Sequence, residues 1–272
     1  MVQIGIEVQD RVALIRFANL PGGCMNEATV AELDAAVRRV ETDDGIGAVV
    51  FTGAAPGVFI RHYSVPELER LAARIGERAM TFDPARPVPE HAFGAICRRM
   101  EEMPKATIAA INGMCMGGGF EFALACDIRI AAAGDYSIGL PEINIGLLPG
   151  AGGTQKLSRL VGPARALEMM LRGRTIKPAE ALALGMVHEV TDGDALARGR
   201  EIAGEIAGKS PRAVAHIKYL VRRSAELPLQ DGLAAERTLF LDLLVTREAI
   251  ALMHRMTGAN GDIRRVEPAG TD

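Results

Sequence analysis

The sequence predicts an α/β protein with covered, mainly parallel sheets and a helical C-terminal region. Apolar, β-branched runs alternate with segments of helical periodicity over most of the chain, and strand signals stop after Thr191. With 272 residues, 49% of them apolar, the chain is long enough to bury a sizeable core.

Alternation over Gln3–Val8 and Val12–Phe17, with Gln9-Asp10 between, predicts a strand pair joined by a tight turn. Val30, Leu33, Val37 and Val40 then fall at helical spacing behind Asn26, an expected N-cap for about four turns of helix. The runs Ile46–Thr52, Ile108–Ile111 and Asp127–Ala132 suit buried strands. Helical pieces are expected near Glu67–Arg78 and Phe93–Met103. Between them Pro84, Pro87 and Pro89 make Thr81–His91 an exposed irregular loop, either a pocket wall or a tolerated insertion. Beyond Thr191, helices are expected over Ala195–Ala207, Pro211–Ala225, Pro228–Val245 and Glu248–Met256. With no sheet to cover, their apolar faces point to self-association or a self-contained bundle.

Charge and composition exclude several function classes. Lys plus Arg number 31 against 34 Asp plus Glu, a net charge of −3 without the basic footprint of nucleic-acid binding. The uncharged run Ala106–Phe120 is too short for a membrane span and is interrupted by glycines. An N-terminus carrying Glu7 and Asp10 lacks the basic start of a signal peptide, so a cytoplasmic location is expected. The four cysteines form no C-x-x-C pair and read as reduced, mostly buried thiols; no metal site is indicated.

Candidate chemistry gathers at the glycines. Ile108–Asp127 runs from a strand through Gly117-Gly118-Gly119 into a short helix, whose first N–H groups are unpaired and can stabilise an oxyanion. A phosphate site and a plain strand–helix contact are the alternatives, but neither phosphate-loop spacing occurs here or at Gly150–Gln155. Glu121, among Phe120, Phe122, Ala123 and Leu124, is a carboxylate that is costly to bury unpartnered, and Glu142 is the only charge in Ser137–Gly150. Each could equally be a solvated carboxylate; as a pair they suit acid/base work.

Met116–Arg129, Pro141-Glu142 and Gly146–Leu157, together with Gly173–Ile176 and Leu184–Val187, resemble the crotonase (enoyl-CoA hydratase/isomerase) superfamily, and the likeness covers nearly the whole chain. The resemblance implies a spiral of ββα units over 1–202 with two roughly perpendicular sheets. It also implies a C-terminal helical region, 203–272, that assembles a homotrimer or a dimer of trimers. The implied substrate is an acyl-CoA thioester, with coenzyme A part of the substrate and no other cofactor. Backbone N–H groups of Tyr63 and Gly118 would form the oxyanion hole. Glu121 would activate water for attack at the β-carbon and Glu142 would deliver a proton to the α-carbon. Substrate or CoA contacts would come from Met25, His62, Gly117 and Gly150. The expected activity is enoyl-CoA hydration; enoyl-CoA isomerisation and a non-catalytic CoA-ester-binding paralogue remain as alternatives.

Several departures from the family pattern bear on the site. Where the family has F-x-A-G-x-D, this chain has Phe59-Ile-Arg-His-Tyr-Ser64, with His62 and Ser64 replacing the usual Gly and Asp. His62 is either an extra acid/base or substrate-binding group, or a side chain packed against the Thr81–His91 loop, and the second reading is preferred because no orienting partner is visible. The stretch from this loop to the glycines is longer than usual. Glu27 follows Asn26 where a small residue is common, and the tail around Thr246–Met256 lacks the usual E-K-R ending.

Overall fold

The computed structural model describes residues 2–18, 20–78 and 80–258; the stretch 259–272 of the expected C-terminal region lies outside them. β1 (Ile4–Gln9) and β2 (Val12–Phe17) form an antiparallel hairpin. Its turn is Asp10-Arg11, one residue later than expected, and both residues take positive φ, 48° and 63°, as two-residue hairpin turns of the favoured twist require. α1 (Glu27–Thr42) is capped by Asn26, whose Oδ1 accepts the Thr29 N–H at 2.9 Å while Thr29 Oγ1 accepts the Asn26 N–H at 3.2 Å.

From here the chain repeats one unit. β3 (Ala48–Gly53) and β4 (Gly57–Ile60) precede α2 (Val65–Gly76) and α3 (Ala92–Glu102). β5 (Ala106–Ile111) and β6 (Gly113–Met116) precede α4 (Gly118–Ala125), and β7 (Ile128–Ala132) and β8 (Ile138–Gly139) precede α5 (Gly153–Val161) and α6 (Pro163–Leu171). In each pair the first strand joins a six-stranded sheet, β1-β2-β3-β5-β7 closed by β10 (Glu189–Thr191), and the second joins a four-stranded sheet, β4-β6-β8 closed by β9 (Thr175–Ile176). Apart from the β1–β2 and β8–β9 pairs the strands run parallel. This is the ββα spiral implied by the resemblance. β3 and β5 are buried along their whole length, which explains their continuous apolar runs.

α7 (Pro178–Ala183) leads to β10, and four helices follow: α8 (Ala195–Ala207), α9 (Pro211–Arg223), α10 (Leu229–Leu244) and α11 (Arg247–Gly258). The expectation that all of these lack a sheet to cover fails for α8. Its Ala195, Ala203 and Ala207 pack with Val50, Ile108 and Ala110 on the large sheet, so a division at 202–203 falls inside a helix of the core. α9 and α10 bury no residue completely. Polar contacts nevertheless fasten α9 to the body: Lys218 Nζ donates to Met100 O at 2.7 Å and pairs with Asp127 at 2.8 Å, while Arg222 donates to Ala125 O at 2.9 Å. The last of these satisfies a carbonyl at the end of α4, the helix that carries Gly118 and Glu121. Among the described residues no helix is long and apolar enough to cross a membrane.

Candidate active site

The two glutamates and the two expected donors come from three successive units of the spiral: Tyr63 from the loop after β4, Gly118 and Glu121 from α4, and Glu142 from the turn after β8. α4 starts abruptly after β6 because Gly117 adopts φ 50°, ψ −129°, which a side chain rarely tolerates. A Cβ there would also stand 3.1 Å from Glu142 Oε1 and 3.6 Å from His62 Cβ. On the next residue, Gly118, a Cβ would lie 3.5 Å from Tyr63 Cβ and 3.6 Å from Met25 Cε. Tyr63, Met25, His62, Gly117, Gly118 and Glu142 are thus brought together.

The departing loop keeps a regular backbone. Met25 N–H donates to His62 O at 2.9 Å, and Ser64 N–H donates to Met25 O at 2.7 Å, a parallel bridge that fixes the His62–Ser64 backbone against residue 25. The intervening Tyr63 N–H faces away from this ladder, and among the described residues neither it nor the Gly118 N–H has an acceptor. Two free N–H groups on adjoining segments are what a thioester oxyanion requires. Tyr63 itself is only partly exposed, and burial foremost, with Glu67 and Glu27 adding, pushes its phenol up to about 12.

His62 does have orienting partners, contrary to the sequence reading. Its Nδ1 lies 2.7 Å from Tyr63 O, and Cys24 Sγ stands 3.6 Å from Nδ1 and 3.7 Å from Nε2. These polar partners come from the bridged segments, so its setting is that ladder. The ring helps hold the Tyr63 carbonyl in a loop that lacks the family's glycine.

Glu121, only 3% exposed, is held by the turn that opens α5. Its Oε1 accepts the N–H groups of Ala151 at 2.6 Å and Gly153 at 2.8 Å, leaving Oε2 uncommitted among the described residues. Gly153 must be glycine, since a Cβ would fall 2.6 Å from Pro149 Cβ and 3.0 Å from Glu121 Oε1. Phe122, the next residue, meets Phe51 and Phe17 edge-on with ring centroids 5.0 and 5.4 Å apart, anchoring α4 in the core. Burial raises the Glu121 pKa, while the two backbone donors and Lys156 oppose the rise.

Glu142 opens a short 3-10 turn, Glu142–Ile145, and its environment differs. Its Oε2 is buried without a hydrogen-bond partner among the described residues. Burial, reinforced by the Glu121 charge, pushes its pKa up to about 7. One carboxylate therefore has donors that favour its charge, and the other has a buried oxygen with none among the described residues. Gly150 begins the turn that opens α5, with nothing within 4 Å of where its Cβ would be.

Two neighbours escaped the sequence reading. Lys156, on α5, faces Glu121 electrostatically and pairs with Glu101 at 3.2 Å. His91 N-caps α3 and reaches Gly150 O through Nε2 at 3.0 Å, tying the Thr81–His91 loop to the site. A histidine before a helical pattern is not an ordinary capping signal, so no local pattern marks it.

The chain matches the Enoyl-CoA hydratase/isomerase family over residues 7–254. It is 32% identical to the short-chain-enoyl-CoA hydratase of Clostridium acetobutylicum over 89% of this chain and 90% of that protein. It is 34% identical to the 2,3-dehydroadipyl-CoA hydratase of Escherichia coli over 91% and 92%. An enoyl-CoA hydratase structure from Geobacillus kaustophilus superposes with a TM-score of 0.83 at 27% identity, covering 96% of this chain and 95% of that one. With a ββα spiral, a glycine-started helix and matches that run nearly end to end, the chain belongs to the crotonase superfamily, in the enoyl-CoA hydratase/isomerase family.

Proposed function

We propose that the protein is an enzyme that adds water reversibly across the 2,3 double bond of an acyl-CoA thioester. The observation that carries this reading is the asymmetry of the two glutamates beside a pair of free N–H groups. Bound with its thioester oxygen between the Tyr63 and Gly118 N–H groups, an enoyl-CoA would have its conjugated carbonyl polarised. Glu121, supported as a carboxylate, takes a proton from water as the water oxygen bonds to the β-carbon. The displaced electron pair passes to the thioester oxygen as an enolate, and collapse of the enolate takes the Glu142 proton onto the α-carbon. Dehydration runs the same steps backward. Every proton and charge in this scheme has a protein group to handle it, so coenzyme A enters only as part of the substrate. Hydratase names among the relatives favour this over isomerisation.

The scheme fixes a pH dependence. Hydration needs Glu121 ionised and Glu142 protonated, so its kcat/KM should fall as pH rises through the region near 7 where Glu142 loses its proton. The two inflections belong to the pair rather than to either residue. Glu142→Gln should remove the alkaline limb and lower the rate about 10²-fold or more. A profile for hydration of crotonyl-CoA that stays level across neutrality, or that E142Q leaves unchanged, would contradict the assignment.

The same reading includes a homotrimer or dimer of trimers and a cytoplasmic location. Ile217, Val221, Leu229, Phe240 and Val245 stand exposed on and just beyond α9 and α10, as a helical region built for self-association would leave them in a single chain. A stable monomer in sedimentation would contradict the assembly.

A further inference from the structure

We infer that His91 is a positioning residue for Glu121, acting through the Gly150–Ala151 peptide. The inference rests on the hydratase reading, in which Glu121 works as a carboxylate base. His91 closes the proline-rich loop and caps α3, its Nδ1 accepting the Gly94 N–H at 3.0 Å. A ring nitrogen that accepts carries no proton, so the neutral ring holds its proton on Nε2. That N–H donates to Gly150 O at 3.0 Å.

The Gly150 carbonyl and the Ala151 N–H are opposite ends of one planar peptide. The Ala151 N–H donates to Glu121 Oε1 at 2.6 Å. One chain of hydrogen bonds therefore runs from the His91 ring through a single peptide unit to the carboxylate, and each link polarises the next. Ring orientation is fixed too: His91 stacks on Phe93 at 6.4 Å and 20°, and Phe93 stacks on Phe122, the residue after Glu121, at 6.5 Å and 17°.

Asn, Asp, Ser or Thr would cap α3 as well as histidine does. None of them has a second donor placed to reach Gly150. Histidine at this cap is explained by the two-ended contact, which holds the Gly150–Ala151 peptide at the angle that aims its N–H at Glu121. The groups facing Glu121 are Lys156, whose charge favours the ionised form, and the neutral His91 ring, with Glu142 and the buried Cys97 thiol sensing its charge.

Two variants separate the ends of the ring. His91→Asn keeps an oxygen for the Gly94 cap and loses the reach to Gly150; His91→Gln keeps an amide donor near the Nε2 position and loses the cap. For H91N, kcat for enoyl-CoA hydration should fall about three- to tenfold with KM changed less than about twofold. Its acid-side inflection should move to higher pH, because the carboxylate loses support. In nuclear magnetic resonance spectra its Ala151 amide proton should move upfield, reporting a weaker bond to Glu121. H91Q should melt at a lower temperature but keep the wild-type inflection and Ala151 resonance. An H91N protein with wild-type Ala151 resonance and inflection would overturn the inference, as would an H91Q protein that loses both. If the wild type hydrates no enoyl-CoA, the hydratase reading fails, and the Ala151 resonance still reads the His91 link by itself.

Discussion

Glu121→Gln is expected to lower kcat for enoyl-CoA hydration by about 10²- to 10⁴-fold, the range ascribed to a positioned acid or base, with KM changed far less. The substitution is nearly isosteric. Its amide oxygen can still accept the Ala151 and Gly153 N–H groups that now meet Oε1, so the turn opening α5 keeps its partner. What is lost is the oxygen that takes a proton: the group facing the site becomes an amide NH₂, which donates and cannot accept. Steady-state kinetics on crotonyl-CoA, with the melting temperature measured beside it, check this. A folded variant retaining more than about a tenth of the wild-type rate would remove Glu121 from the chemistry.

Gly118→Pro should lower kcat by about 10²- to 10³-fold, the effect typical of deleting one oxyanion donor. Proline lacks the N–H, yet it suits the first position of a helix, which Gly118 occupies in α4. Gly118→Ala is the control. It keeps the N–H and adds a Cβ whose nearest neighbours, Tyr63 Cβ at 3.5 Å and Met25 Cε at 3.6 Å, are at ordinary contact distance. The alanine variant should therefore retain most of the rate. Equal losses in both would mean that the space beside Gly118 matters and its N–H does not.

Much of this could be read from the sequence where local chemistry and tertiary demand agree. Asn26 caps α1 because its side chain needs only a backbone three residues on, and β3 and β5 announce themselves because burial on both faces demands unbroken apolar runs. The glycine-started α4 follows from Gly117, whose backbone angles few other residues adopt. β4, β6, β8 and β9 are two to four residues long and exist through pairing with one another, so no local pattern marks them. α8 looked like its three successors because small alanines that fit against a sheet also fit against a helix. Glu121 and Glu142 stood out as charges in apolar runs. Their separate roles come only with the family resemblance; the difference in their surroundings is not legible locally, because the Ala151 and Gly153 N–H groups are brought to one of them only by the fold. His62 reads as a lone histidine, and His91 as no more than the end of a loop, for the same reason: their partners are backbone groups and a thiol, not side chains with a recognisable spacing.

The most direct test follows the fate of crotonyl-CoA incubated with the wild-type protein, and with Glu121→Gln, in water labelled with heavy oxygen and deuterium. Mass spectrometry of the wild-type product should find 3-hydroxybutyryl-CoA carrying one solvent oxygen on the β-carbon and one solvent hydrogen on the α-carbon, with the thioester intact and the variant nearly inert. Deuterium exchanged into an enoyl-CoA that has gained no oxygen, or solvent oxygen found in a free carboxylate beside released coenzyme A, would contradict the account.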